Sequence, residues 1–86
     1  MIDPVQHPVP WAQFMWELHD AHEHLGELIT ALTKDGAQPD SEFAVYLGHV
    51  YAHLNRAWHL RDQIEEITDE QRPRFSGFPS DVQPVG

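Results

Sequence analysis

The feature that most constrains the fold is a pair of long, almost proline-free stretches in which apolar residues recur every three or four positions. The first stretch carries Trp11, Phe14, Leu18, Ala21, Leu25, Leu28 and Leu32 at this spacing. The second carries Phe43, Leu47, Val50, Leu54, Ala57 and Ile64, with Arg61 as the one charged interruption. This spacing places apolar side chains along one face of an α-helix. The sequence therefore predicts an all-α fold built on two amphipathic helices.

Proline and glycine indicate the limits of the first helix. Pro10 suits a first helical turn, where the missing N–H is not needed, and Lys34 followed by Gly36 is typical of a helix C-terminus. We expect helix 1 over about 10–34. Residues 36–39 then form a short connection to the second helix.

The second helix has a capping residue at its start and a less definite end. Asp40 or Ser41 can cap its N-terminus, and we expect the helix over about 40–71. Thr68 and Gln71 have the spacing of a capping box, which allows the last turn to break and restart.

Two amphipathic helices joined by a short connection predict an antiparallel hairpin over 10–71. Each helix covers only part of the apolar face of the other, so we expect two hairpins to pair as a homodimeric four-helix bundle. Residues 1–9 should form an extended, proline-rich N-terminal arm, and residues 72–86 a C-terminal tail that contains proline and phenylalanine.

The charge and the composition exclude several classes of partner. The chain has a formal net charge of −9, which repels both a nucleic-acid backbone and an anionic membrane surface. It contains no cysteine, so disulfides and thiolate metal sites are ruled out. No secretory leader or membrane-spanning run is visible. We expect a soluble, cytoplasmic protein that binds neither nucleic acid nor membranes.

Seven histidines in 86 residues raise the question of metal binding. With Leu18 and Val50 taken as the centres of the two apolar faces, His22 and His53 fall within these faces and at the same level of the predicted hairpin, with His49 one turn from His53. One interpretation is a buried polar layer that fixes the helix register. A second is a site for a divalent transition metal formed by His22, His49 and His53. A third is that one or both of His22 and His53 extend to solvent. No other cofactor is expected.

The chain lacks the residue arrangements of the common catalytic sites. It has no glycine-rich phosphate loop, its serines fall at a helix cap or in the tail, and its paired carboxylates lie on exposed faces. We therefore expect a non-enzymatic protein.

Three large aromatic residues are candidates for partner binding. Trp16 is predicted nearly opposite the apolar face of helix 1, among acidic residues, where it either packs against the chain's own N-terminal arm or tail or forms a contact with a partner. Phe75 and Phe78 lie in the tail, where they either fold back onto the bundle or dock on another protein.

Three functions are compatible with these features. The first is an acidic accessory or interaction protein that acts as a homodimer and contacts a protein partner through its tail and acidic face. The second is a histidine-rich bundle that binds or senses metal. The third is an inhibitor whose negative surface blocks a basic enzyme or mimics nucleic acid.

Overall fold

A computed structural model describes every residue from Met1 to Gly86 and contains three helices and no strand. α1 spans Pro8–Asp35, α2 spans Asp40–Leu60 and α3 spans Gln71–Phe75. The two long helices pack against each other as a hairpin, so the predicted all-α hairpin is confirmed. None of the helices combines the length and the apolar character needed to cross a membrane.

The limits of α1 follow from the residues that flank it. Pro8 and Pro10 both occupy the first turn, where the backbone N–H groups have no helical acceptor. At the other end Gly36 has a φ of 79°, a conformation that favours glycine, and its N–H donates to the carbonyl of Leu32 at 3.0 Å. The observed helix is within two residues of the predicted one at both ends.

α2 ends at Leu60, so the prediction that this helix continues to residue 71 is wrong. The residues beyond Leu60 include Asp62, Glu65 and Glu66, whose negative charges are unfavourable at a helix C-terminus. The N-terminal segment also contacts the end of α2, where the N–H of Ile2 donates to the carbonyl of Arg61 at 2.8 Å.

The restart that the capping-box spacing allows does occur. The N–H of Thr68 donates to Oε1 of Gln71 at 3.0 Å, and the N–H of Gln71 donates to Oγ1 of Thr68 at 3.2 Å. These reciprocal bonds satisfy two backbone donors that would otherwise lack partners at the start of α3. Residues 61–70 thereby turn the chain back toward the hairpin.

The apolar core lies at the end of the hairpin farthest from the connection. Its buried members are Ile2, Phe14, Ala57 and Leu60, and Ile67 and Phe75 pack against them from the segment that follows α2.

The N-terminal arm is folded against the helices, whereas the sequence predicted an extended arm. Asp3 Oδ1 accepts the N–H groups of two following residues and forms a turn, which places Ile2 in the core.

The C-terminal tail folds back along α2. Asn55 is buried, and its Nδ2 donates to the carbonyl of Ser76 at 2.8 Å. Farther along, Nε1 of Trp58 donates to Oδ1 of Asp81 at 2.9 Å. These bonds hold the tail against the protein's own second helix.

The contact between α1 and α2 covers only part of the apolar face of each helix. At about 100° per residue, the buried positions of α1, such as Ala21 and Leu28, are centred roughly 70° from the more exposed Leu18, Leu25 and Ile29. The same offset in α2 leaves Phe43 and Leu54 uncovered. We call Leu18, Leu25, Ile29, Phe43 and Leu54 the open apolar face. Leu18 and Leu54 line one groove there, so both helices contribute to one side.

The opposite side of the hairpin is polar. Asp20 and His24 of α1 and His49 and Arg56 of α2 lie on this side, which we call the polar face. Asp20 and Arg56 line one cavity here, so this face also draws on both helices. The candidate functional site is at its inner edge.

Candidate metal centre

Two polar side chains lie inside the contact between α1 and α2, next to the polar face. Glu17 is 8% exposed and His53 is 7% exposed. Burial of a carboxylate is strongly unfavourable unless a positive charge and hydrogen bonds compensate it. Glu17 therefore needs partners within the hairpin, and it has two.

Both oxygens of the Glu17 carboxylate are bonded by residues of α2. Nε of Arg56 donates to Oε1 at 2.9 Å, and Nδ1 of His53 lies 2.6 Å from Oε2. The Arg56 guanidinium also donates from Nη1 to Oγ of Ser76 at 2.7 Å. The carboxylate thus connects α1 to α2, and Arg56 extends this network to the tail.

The short contact with Glu17 determines which nitrogen of His53 carries the proton. A carboxylate only accepts, so Nδ1 of His53 is the donor, and the Arg56 Nη2 atom 3.0 Å from the same Nδ1 does not form a second hydrogen bond there. Nε2 of His53 is buried and has no hydrogen-bond partner. In the neutral ring Nε2 then carries a free lone pair, as a metal-ligating nitrogen must.

The His53 ring lies together with the rings of two other histidines. The ring centroids of His24 and His49 are 4.1 Å apart, those of His49 and His53 are 5.0 Å apart, and those of His24 and His53 are 5.2 Å apart. One nitrogen from each ring lies within 4.8 Å of the other two. In a tetrahedral zinc site the nitrogens are about 3.3 Å apart. The rings are stacked with interplanar angles of 15° to 28°, so the His24 and His49 rings would have to rotate for all three lone pairs to meet at one ion.

The electrostatics of the cluster favour a neutral ring at His49. Its pKa lies below the usual histidine value, chiefly because the surrounding side chains remove water from the imidazole. Coulombic interactions with His24, His53 and Arg56 lower the pKa further, and the carboxylate of Asp20 opposes this shift. A neutral imidazole is the form that binds a metal ion.

The cluster corrects one part of the sequence-based geometry. His49 and His53 lie together as predicted. The third member of the cluster is His24 and not His22, which is exposed. The prediction took Leu18 as the centre of the helix contact. The actual contact is rotated toward Glu17, and this rotation turns His24 inward and His22 outward.

Trp16 is 68% exposed and lies at the edge of the polar face. It forms part of the wall of a cavity of about 510 Å³, together with Gln13, Asp20 and Arg56. Partner binding by Trp16 stays a prediction.

The two tail phenylalanines differ in their surroundings. Phe75 packs against the core and stacks on His59, with ring centroids 5.2 Å apart. Phe78 is 73% exposed and makes an edge contact with Tyr51 at 5.1 Å. Of the two, Phe78 has the more accessible surface for a partner.

No family model matches the chain, and neither a curated protein nor a solved structure shows significant similarity to it. The function of this chain therefore has to be inferred from the geometry of the site.

Proposed function

We propose that the protein binds one divalent transition-metal ion per chain through His24, His49 and His53, and that it serves in metal binding or sensing. The observation that carries this proposal is the buried Nε2 of His53, which has no partner and belongs to a ring held by Glu17 through Nδ1. A carboxylate bonded to the far nitrogen is a common feature of metal-ligating histidines, because it fixes the ring and the tautomer.

The donor set limits the identity of the ion. Three imidazole nitrogens suit zinc, copper, nickel or iron, whereas calcium and magnesium prefer oxygen ligands. Zinc is the simplest first probe because it has no redox chemistry and accepts a tetrahedral arrangement.

Calorimetric titration of untagged, metal-free protein with Zn²⁺ tests the proposal. We expect a stoichiometry of one ion per chain, and loss of binding in both His24→Ala and His53→Ala. His22→Ala is the matched control, since His22 is an exposed histidine on the same helix as His24. Equal effects of the His22 and His24 substitutions would contradict the proposal, because they would indicate unspecific binding to surface histidines.

A second proposal, supported by the open apolar face, is that the protein acts as a homodimeric interaction protein. Leu25, Ile29, Phe43 and Leu54 are each at least 40% exposed, and an apolar groove of about 370 Å³ lies at one end of this face. A chain of this size has a thin core, and pairing is a common way to stabilise such a fold.

A second copy of the chain is the occupant we propose for this face. Both helices contribute to it, so a twofold axis would place α1 and α2 of one copy against those of the other and complete a four-helix bundle. Sedimentation velocity at micromolar concentration should give the mass of a dimer. A monomer that keeps its helical circular dichroism would contradict the pairing.

A further inference from the structure

The contacts across the hairpin fix the register of α1 against α2. Glu17 bonds to His53 at 2.6 Å, and His24 stacks on His49 with ring centroids 4.1 Å apart. Asp20 lies between Glu17 and His24 on α1, about one helical turn from each. Because the helices are antiparallel, Asp20 is level with the interval between His53 and His49.

Asp20 also lies on the same side of the hairpin as the histidines. It is half-buried, and it lines the cavity of the polar face together with His53. Asp20 therefore lies on the same side of the hairpin as the two histidines of α2 and at the same level along it.

We infer that Asp20 is the fourth ligand of the metal ion, so that the site is closed by three imidazole nitrogens and one carboxylate oxygen. This inference rests on the metal binding proposed above. Each helix then supplies one pair of ligands a single turn apart, Asp20 with His24 and His49 with His53. A carboxylate oxygen is an ordinary zinc ligand, and its negative charge would offset part of the charge of the ion.

The test compares Asp20→Asn with Glu23→Gln in untagged, full-length protein titrated with Co²⁺, whose visible spectrum reports its coordination. Glu23 is an exposed acidic residue of the same helix, so the control removes the same charge. We expect Asp20→Asn to lower the Co²⁺ affinity by at least about tenfold. Glu23→Gln should leave the affinity unchanged, and Asp20→His, which restores a ligand, should recover most of it.

Azide separates a lost ligand from a lost charge. If Asp20 is a ligand, azide should change the Co²⁺ spectrum of Asp20→Asn, where a coordination position is free, and leave the wild-type spectrum unchanged. Equal affinities in Asp20→Asn and Glu23→Gln, with an azide-sensitive wild-type spectrum, would overturn this inference and leave the three-histidine site intact. Absence of Co²⁺ binding by the wild type would overturn both this inference and the proposed metal centre.

Discussion

The two sides of the hairpin differ in whether their side chains find partners within the chain. On the polar side, the buried Glu17 is bonded at both oxygens by His53 and Arg56. On the opposite side, Leu25 and Leu54 remain exposed although they belong to the same periodic pattern as the buried residues. The difference shows that apolar spacing identifies a helix face broader than the contact the helix makes. The position of the contact within that face decides which polar groups are buried.

The largest effect is expected where this polar network is broken. Glu17→Ala leaves the Arg56 guanidinium, whose side chain is only 12% exposed, without its carboxylate. Removal of one partner of a buried ion pair should lower the free energy of unfolding by about 3 kcal/mol. Urea denaturation in the presence of a chelator measures this change. Glu23→Ala, at an exposed position of α1, should have almost no effect, and similar losses in the two variants would contradict the importance of the network.

The next effect concerns the end of the hairpin, where the tail covers the core. Phe75→Ala removes a ring that packs on the buried cluster and should lower the free energy of unfolding by about 2 kcal/mol. Phe78→Ala removes an exposed ring with one edge contact and should cost less than about 1 kcal/mol. Urea denaturation of both variants gives the comparison. A larger loss of stability in Phe78→Ala than in Phe75→Ala would contradict the packing of Phe75, and not Phe78, against the core.

A charged substitution on the open apolar face tests whether this side of the hairpin forms the proposed dimer. Leu54→Asp should raise the dissociation constant of the proposed dimer at least about tenfold, since pairing would remove the new carboxylate from water. Sedimentation at several concentrations measures the constant. The control is Val45→Asp, because Val45 is equally apolar but points away from this face. Dimer formation by Leu54→Asp at wild-type affinity would exclude this face as the interface.

The smallest effect is a dependence of stability on pH. Above the ordinary histidine pKa of about 6.5, His49 is neutral in both the folded and the unfolded chain and contributes nothing. Below that value the unfolded chain takes up the proton first, because the folded pKa is lowered. The free energy of unfolding of metal-free protein should therefore fall with acidification. Denaturation at pH 7.5 and pH 5.5 should show a smaller fall in His49→Gln, and an unchanged fall would contradict the lowered pKa.

The fold was largely predictable from the sequence because its signals are local. The apolar spacing, Gly36 and the capping box of Thr68 and Gln71 each act over a few residues. The end of α2 follows only in part from local charges, those of the acidic residues after Leu60. It also involves a bond from Ile2 to Arg61, which lie far apart in the chain.

The candidate site was predictable only in part. The pair His49 and His53 is visible as two histidines one turn apart, and the structure brings these two together. The inward position of His24 depends on the rotation of α1 about its own axis, and the same rotation buries Glu17. A broad apolar arc fits several rotations, so the sequence does not distinguish His22 from His24.

Native mass spectrometry of untagged protein tests the central claim most directly, because one spectrum reports both bound metal and the number of chains. We expect a dimer whose mass exceeds that of two chains by two metal ions, and a dimer without metal when His53 is replaced by alanine. A species of metal-free mass after incubation with stoichiometric Zn²⁺ would contradict the metal centre. Its number of chains would then show whether the open apolar face is an interface.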